Sequence, residues 1–252
     1  MIEIPEHLAG RILAFLPTYN ESGNIESLID SLLALDSRLD VLVVDDKSPD
    51  GTGNLVARKA ADDRRIHLVS RDPPRGRGLA GREGFRWFQN HPLFSAVVEM
   101  DADFSHHPRF IPALLAKLSD FDAVVGSRFT PGGRETGRSV LRRCTSMLAN
   151  TYLRFVLQTR LGDCTSGFRA FTRKALAGID FQAYVSEGPT IVTELVFDLL
   201  SRKRKIGEVP IIFENRRWGD SKLSPAVLLR SLWFPLWMRY KRLKCWRRHP
   251  NP

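Results

Sequence analysis

The chain has 252 residues, 43% of them hydrophobic, which is enough to bury the core of one large α/β domain and too much for global disorder. With 38 basic and 28 acidic side chains the formal charge is +10 and the sequence pI about 9.9, a balance suited to nucleic acid, an anionic membrane surface or a phosphorylated small molecule. Three scattered cysteines (Cys144, Cys164, Cys245) without a CxxC pair exclude a disulfide framework and a zinc ribbon, and no signal peptide or 18-residue apolar run is present, so a soluble or peripheral protein in a reducing cytosol is expected.

RILAFL (11–16) reads as a buried strand, and the polar PTYNESGN that follows leads into a helical pattern over 21–35, with Asn20 or Ser22 as its cap. DVLVVD (40–45) is a second strand, running into DDKSPDGTGN. Its Asp45 and Asp46 are candidate acceptors for a ribose hydroxyl or base edge, whereas Ser48 to Gly51 have turn chemistry and Thr52 is placed to cap a helix over 52–61. RIHLV (65–69) precedes RGRGLAGREG, which lacks the Walker lysine pattern. Its Arg75 and Arg77 fit either a phosphate contact or a solvated charge run at the start of a helix over 77–90.

SAVVEM (95–100) is the fourth strand, followed by DADFSHHP. Asp101 and Asp103 could direct two carboxylates at one hard divalent ion, or an Asp could simply cap the helix that begins near Pro108 and runs over 108–118. His106 and His107 suggest zinc less well, since adjacent side chains rarely share one ion and no thiolate lies nearby. DAVVGS (122–127) ends in SRFTPGG, and a helix over 138–157, DCTSGFRAF, a helix over 189–203 and a strand in IGEVPIIF follow. Strand–helix alternation implies an α/β fold, a mostly parallel sheet with helices on both faces, whose ligands bind beyond the strands' carboxyl ends. No repeat or low-complexity linker divides it, so one catalytic domain over 1–224 and a basic, tryptophan-rich tail over 225–252 are expected.

PTYNE, DDKSPDGT, MDADFSHHP, GSRF with a following GG, TSGFRAF, GEVPI and RRWGDSKLS stand in the order and spacing of a known family. Over residues 11 to 224 the chain resembles polyprenol-phosphate mannosyltransferases, in particular the dolichol-phosphate mannose synthase group of inverting, family-two glycosyltransferases. The resemblance implies a GT-A fold and transfer of mannose from GDP-mannose to a polyprenyl (dolichyl) phosphate, with Mg²⁺ or Mn²⁺ as cofactor. It also implies roles. Pro17, Tyr19, Glu21 and Asp46 would hold the guanosine part, and Asp101 and Asp103 would meet the metal and the diphosphate, with Ser105 as a weaker third contact. Arg128, with Arg142 and Ser146, would grip the acceptor phosphate, while Arg216, Ser221 and Lys222 would close over the nucleotide. Asp103 and Arg128 are the expected catalytic pair. One departure bears on specificity: where the family has GYxFQ[IM][ED], residues 188–194 read GPTIVTE, keeping Gly188 and Glu194 but losing the aromatic pair and the glutamine. Another sugar, such as glucose, is therefore the alternative donor.

In the tail, Leu228, Leu232, Trp233, Leu236 and Trp237 form an apolar stripe, followed by Arg239, Lys241, Arg242, Lys244, Arg247 and Arg248. The pattern fits an interfacial helix on anionic lipid, kinked or broken at Pro235, and equally a terminal helix packed on the domain. A polyprenyl acceptor favours membrane contact on the cytoplasmic face, with or without a membrane subunit. A nucleic-acid-binding protein would need aromatic platforms interleaved with basic residues or a recognition motif, and neither is present. An inactive scaffold is disfavoured by intact Asp101, Asp103 and Arg128.

Overall fold

The computed structural model describes residues 8–137, 139–214 and 232–240. Five parallel strands form the frame: β1 (Arg11–Thr18), β2 (Leu39–Asp45), β3 (Ile66–Ser70), β4 (Phe94–Glu99) and β5 (Ala123–Ser127). β2 is buried along its whole length, as a strand covered on both faces must be. The intervening helices are α1 (Ile25–Leu33), α2 (Thr52–Asp62), α3 (Arg77–Asn90) and α4 (Ile111–Ala116), the last flanked by 3₁₀ turns at Pro108–Phe110 and Lys117–Ser119.

Successive residues of each strand feed opposite cores. Ile12, Ala14, Val41, Val43, Ala96 and Val98 pack on one face with Ile25, Leu28, Ile29 and Leu32, the i, i+3, i+4, i+7 stripe of α1. Leu13, Phe15, Leu42, Val44 and Val97 meet Phe85 and Phe88 of α3 on the other face. The fold class read from the sequence is therefore observed.

Three strand assignments differ from the sequence reading. β7 (Arg169–Thr172), within TSGFRAF, inserts antiparallel between β4 and β5, giving the order β3-β2-β1-β4-β7-β5-β8. The two-residue β6 (Arg134–Glu135) was not anticipated either. IGEVPIIF is not one strand: β8 (Ile206–Pro210) ends at a proline, and β9 (Ile212–Phe213) leaves to pair with β6 in a second sheet. α5 (Val140–Leu157), α6 (Arg173–Leu176) and α7 (Ile191–Ser201) complete the described helices, apart from a helical segment over 232–240. That segment runs through Pro235, so of the kink or break expected there the break is not observed.

Strand order fixes the site. β1 lies between β2 and β4, so the chain leaves β1 in opposite directions across the sheet. Thr18 is in register with Asp45, and Phe15 with Glu99. The segments after β1, β2 and β4 therefore converge at the switch point, where open α/β sheets bind ligands.

Candidate active site

A cleft of about 360 Å³ opens at this point, and its walls include Pro17, Tyr19, Glu21, Asp46, Asp101 and Asp103. Six residues named from three separate motifs thus meet in one place. Arg75 and Arg77 join them.

The first two loops hold each other. Asn20, Glu21 and Ser22 donate their backbone N–H groups to Ser48 Oγ (3.0 Å), Thr52 Oγ1 (3.0 Å) and Asp50 Oδ2 (2.9 Å). Neither Asn20 nor Ser22 caps α1; its N-cap is Asn24, whose side chain donates to Glu21 Oε2 (3.1 Å) rather than capping the helix. Thr52 is likewise the first residue of α2 rather than its cap, and its hydroxyl donates to Asp50 (2.6 Å). Asp45 is a brace rather than a ligand group: it is buried and accepts bonds from Thr18 Oγ1 (2.9 Å), Ser48 N (2.9 Å) and Ser48 Oγ (2.6 Å). Asp46 does face the cleft, where it pairs with Arg71 and accepts the Gly76 N–H (2.7 Å). Arg75 stacks its guanidinium 4.9 Å from the centre of the Tyr19 ring.

Arg77 is not part of a solvated charge run. Its Nη1 donates to Glu99 Oε1 (3.1 Å), and its Nε and Nη2 donate to Asp101 Oδ1 (3.1 and 2.9 Å). Burial alone would lower its pKa, but the Asp101 and Glu99 charges and hydrogen bonds outweigh burial and raise it. Glu99 is also answered by Arg169, whose Nε donates to it at 3.1 Å. The glycines of RGRG allow close approach rather than cradling a phosphate. The Gly78 N–H donates to Glu187 O (2.8 Å), and a Cβ on Gly78 would stand 2.6 Å from the Glu187 carbonyl carbon. The divergent 188–194 segment therefore begins directly against the start of α3. Its retained Glu194 accepts the N–H groups of Val185 (3.1 Å) and Ser186 (3.0 Å).

Within DADFSHHP, Asp103 is buried at the cleft and accepts the Ser105 hydroxyl (2.5 Å) and N–H (3.1 Å). Ser105 is 1% exposed and outside the cleft wall, so it positions Asp103 rather than facing an ion. His106 stacks on Phe168 (5.2 Å) and accepts the Asp101 N–H at Nδ1 (3.2 Å). Burial lowers its pKa, and the Arg128 and Arg77 charges add to this against the pull of Asp101 and Asp103. The helix cap expected from an Asp is supplied by His107, which accepts the Arg109 N–H (3.1 Å). Among the described residues no three His, Cys, Asp or Glu side chains gather to enclose an ion. Two carboxylates at an open cleft fit instead a hard cation that shares its shell with substrate oxygens.

The residues expected on the acceptor side are placed differently. Arg128 follows β5, is 8% exposed and does not line the cleft. Its Nε and Nη2 donate to Asp163 (2.6 and 2.9 Å), Nη2 to Thr165 Oγ1 (2.6 Å) and Nη1 to Glu135 (3.0 Å). A fork engaged by two carboxylates is not presented to a phosphate, which corrects its expected role. Arg142 is exposed and Ser146 half-buried on α5, away from the cleft wall. α5 is tied to the Arg128 cluster through Asn150, which donates to Thr165 Oγ1 (3.2 Å) and accepts the Cys164 N–H (2.7 Å). Arg216, Ser221 and Lys222 lie outside the described residues, as do Leu228, Cys245 and the basic residues from Lys241 onward. Sequence reasoning singled out Arg77 but not its carboxylate partners, and it missed Glu99, Arg169, Asp163 and Glu135. Of these four only Glu99 carried a signal, as a charge inside an apolar run, and its partner Arg169 is 70 residues away.

Residues 14–179, which span the three converging strand ends, match the family model described as glycosyl transferase family 2. The chain belongs to glycosyl transferase family 2. An undecaprenyl-phosphate mannosyltransferase of Micrococcus luteus is 38% identical over 86% of this chain and 89% of that protein. A polyprenol monophosphomannose synthase of Mycolicibacterium smegmatis is 38% identical over 88% of this chain and 84% of that protein. Among solved structures, glucosyl-3-phosphoglycerate synthase from Mycobacterium tuberculosis in complex with Mn²⁺ and UDP-glucose has a TM-score of 0.66 at 23% identity, covering 92% of this chain and 79% of that one. At that identity the likeness concerns the fold, which is the GT-A fold expected of the family.

Proposed function

We propose that this family-two glycosyltransferase moves mannose from GDP-mannose to the phosphate of a polyprenyl (dolichyl) phosphate, with inversion and with Mg²⁺ or Mn²⁺ at Asp101 and Asp103. The observation that carries the reading is the convergence of Pro17, Tyr19, Glu21, Asp46, Asp101 and Asp103 on one cleft. Identity of 38% to two polyprenyl-phosphate mannosyltransferases supports the same acceptor and sugar.

The acceptor brings its own nucleophile. A phosphate monoester has a second pKa near about 6, so at pH 7 it is mostly dianionic and needs no strong base. One phosphate oxygen attacks the anomeric carbon from the face opposite the diphosphate. The C–O bond to the diphosphate breaks and its electron pair leaves with the nucleotide, which inverts the centre. A bound divalent ion would neutralise the departing diphosphate. The chain's own contribution is alignment: Tyr19 and Arg75 form a stacked wall on the nucleotide side, Ser105 orients Asp103, and Arg128 fixes the Asp163–Thr165 turn on which α5 stands. Arg142 and Ser146 of α5, with Arg216, Ser221 and Lys222, are proposed to meet the substrates' phosphates.

Among the described residues no helix is long and apolar enough to cross a membrane. The 232–240 segment packs on α5, with Phe234 and Met238 buried and Arg239 donating to Val156 O (2.7 Å). Leu232, Trp233, Leu236 and Tyr240 remain exposed, as do Val140, Leu141, Met147, Leu148 and Phe155 of α5. Exposed apolar side chains on both helices support peripheral contact with the membrane that holds the acceptor.

The test is incubation with Mg²⁺, a short polyprenyl phosphate and a panel of labelled nucleotide sugars. A polyprenyl phosphate mannose formed from GDP-mannose, and lost on adding EDTA, is expected. A lipid product from UDP-glucose alone would favour glucose, the second reading, to which the GPTIVTE segment points. No lipid product from any donor would refute glycosyl transfer to this acceptor.

A further inference from the structure

Arg77 opens α3 and reaches under the cleft to two carboxylates at the end of β4. Together with Arg169 from β7 they form a chain of alternating charge: Asp101, Arg77, Glu99, Arg169. The side chain of Glu99 is fully buried and that of Asp101 partly exposed, so Arg77 joins an internal charge to one that faces the ligand. Room for the guanidinium comes from Gly167, where a Cβ would stand 3.3 Å from Arg77 Cζ and closer still to Nη2. Two positive and two negative side chains make this chain neutral without any ion. A guanidinium at 2.9 Å from Asp101 Oδ1 also competes with a cation for that carboxylate.

We infer that Arg77 is a positioning residue that holds and neutralises Asp101 in the empty cleft, so that the divalent ion binds with the donor diphosphate rather than ahead of it. The inference rests on reading Asp101 and Asp103 as metal carboxylates. A diphosphate adds negative charge to a cleft whose wall includes Arg77, and with that charge present a cation and a guanidinium are accommodated together. Without it, the ion meets a carboxylate already paired.

The experiment is Mn²⁺ binding, followed by electron paramagnetic resonance of the free ion, with and without GDP. Wild type is compared with R77M and R77Q, which remove the charge, and R77K, which keeps it. Glu99 retains Arg169 in every variant, and thermal denaturation checks that each is folded. R77Q keeps a donor toward Glu99 and serves as the neutral variant should R77M not fold. Without nucleotide, the neutral variants should bind Mn²⁺ about tenfold more tightly than wild type, the lower end of what an adjacent guanidinium does to a carboxylate's proton affinity. R77K should stay near wild type, and GDP should strengthen Mn²⁺ binding more in wild type than in the neutral variants. Equal or weaker Mn²⁺ binding by the neutral variants would overturn the role of Arg77 while leaving the metal assignment standing. A wild-type protein that takes up no Mn²⁺ even with GDP would overturn both.

Discussion

Arg128 and Asp163 are joined by two side-chain hydrogen bonds in a site that excludes most water, and such a pair is costly to break from one side. Removing one partner of a buried pair leaves an uncompensated charge, at about 3–5 kcal/mol. Arg128→Met should therefore lower unfolding stability by about that amount in a urea titration. An unchanged midpoint would instead return the residue to an exposed, phosphate-gripping role. The effect has a definite pH dependence. Burial would raise the Asp163 pKa, but the Arg128 hydrogen bonds and charge outweigh it and hold it below the ordinary carboxylate value. The pair's stabilisation is thus complete above the unfolded pKa of about 4 and is lost as pH falls through the lower folded value. The gap between wild type and Arg128→Met should close in that acid range. GSRF marked Arg128 as important, yet Asp163 lies 35 residues away, and no local pattern says that the two side chains meet. Pairing across such separations is what a single sequence leaves unread, and the Glu99–Arg169 bond is a second instance.

Elements with a strong period were the most legible. The helix expected over 77–90 is observed as Arg77–Asn90, and the one expected over 138–157 as Val140–Leu157. β7 escaped notice because four residues are too few for an alternating pattern, and the split of IGEVPIIF because only tertiary pairing tells β8 from β9. The 232–240 segment has two apolar faces, of which the sequence reading named only the outward one. Phe234 and Met238 turn inward, whereas Trp233 and Leu236 are exposed, as are Leu148 and Phe155 of α5. Both readings of the tail thus have a place in the described helix. If the outward face lies on lipid, the protein should sediment with anionic liposomes at low salt and be released at high salt. Each basic residue near such a surface contributes on the order of 1 kcal/mol, and salt screens it. Leu148→Glu combined with Trp233→Glu should weaken the binding, as should truncation after Ser224, without a matching loss of affinity for GDP-mannose. Equal sedimentation of all three proteins would assign the exposed residues some purpose other than lipid.

At the scale of the molecule, the strand order β2-β1-β4 makes three motifs into one site. The sequence showed which strand ends were polar, and the general rule for open α/β sheets said where to look. Six of the residues singled out there do line the cleft, whereas Ser105 and Arg128 stand one step behind the groups they orient. Under the proposed function, this division separates residues that meet substrate from residues that hold them. Asp103 is the sharpest case, since its carboxylate lines the cleft and is itself oriented by Ser105. The decisive measurement is transfer of labelled mannose from GDP-mannose to a short polyprenyl phosphate by wild type and by Asp103→Asn, with circular dichroism confirming that both are folded. Wild type should make the lipid-linked product and the variant should lose about 100-fold or more of that rate, beyond the 10–100-fold typical of residues one step removed from a metal. A folded Asp103→Asn protein that transfers mannose at the wild-type rate would contradict the assignment of this cleft as the site of transfer.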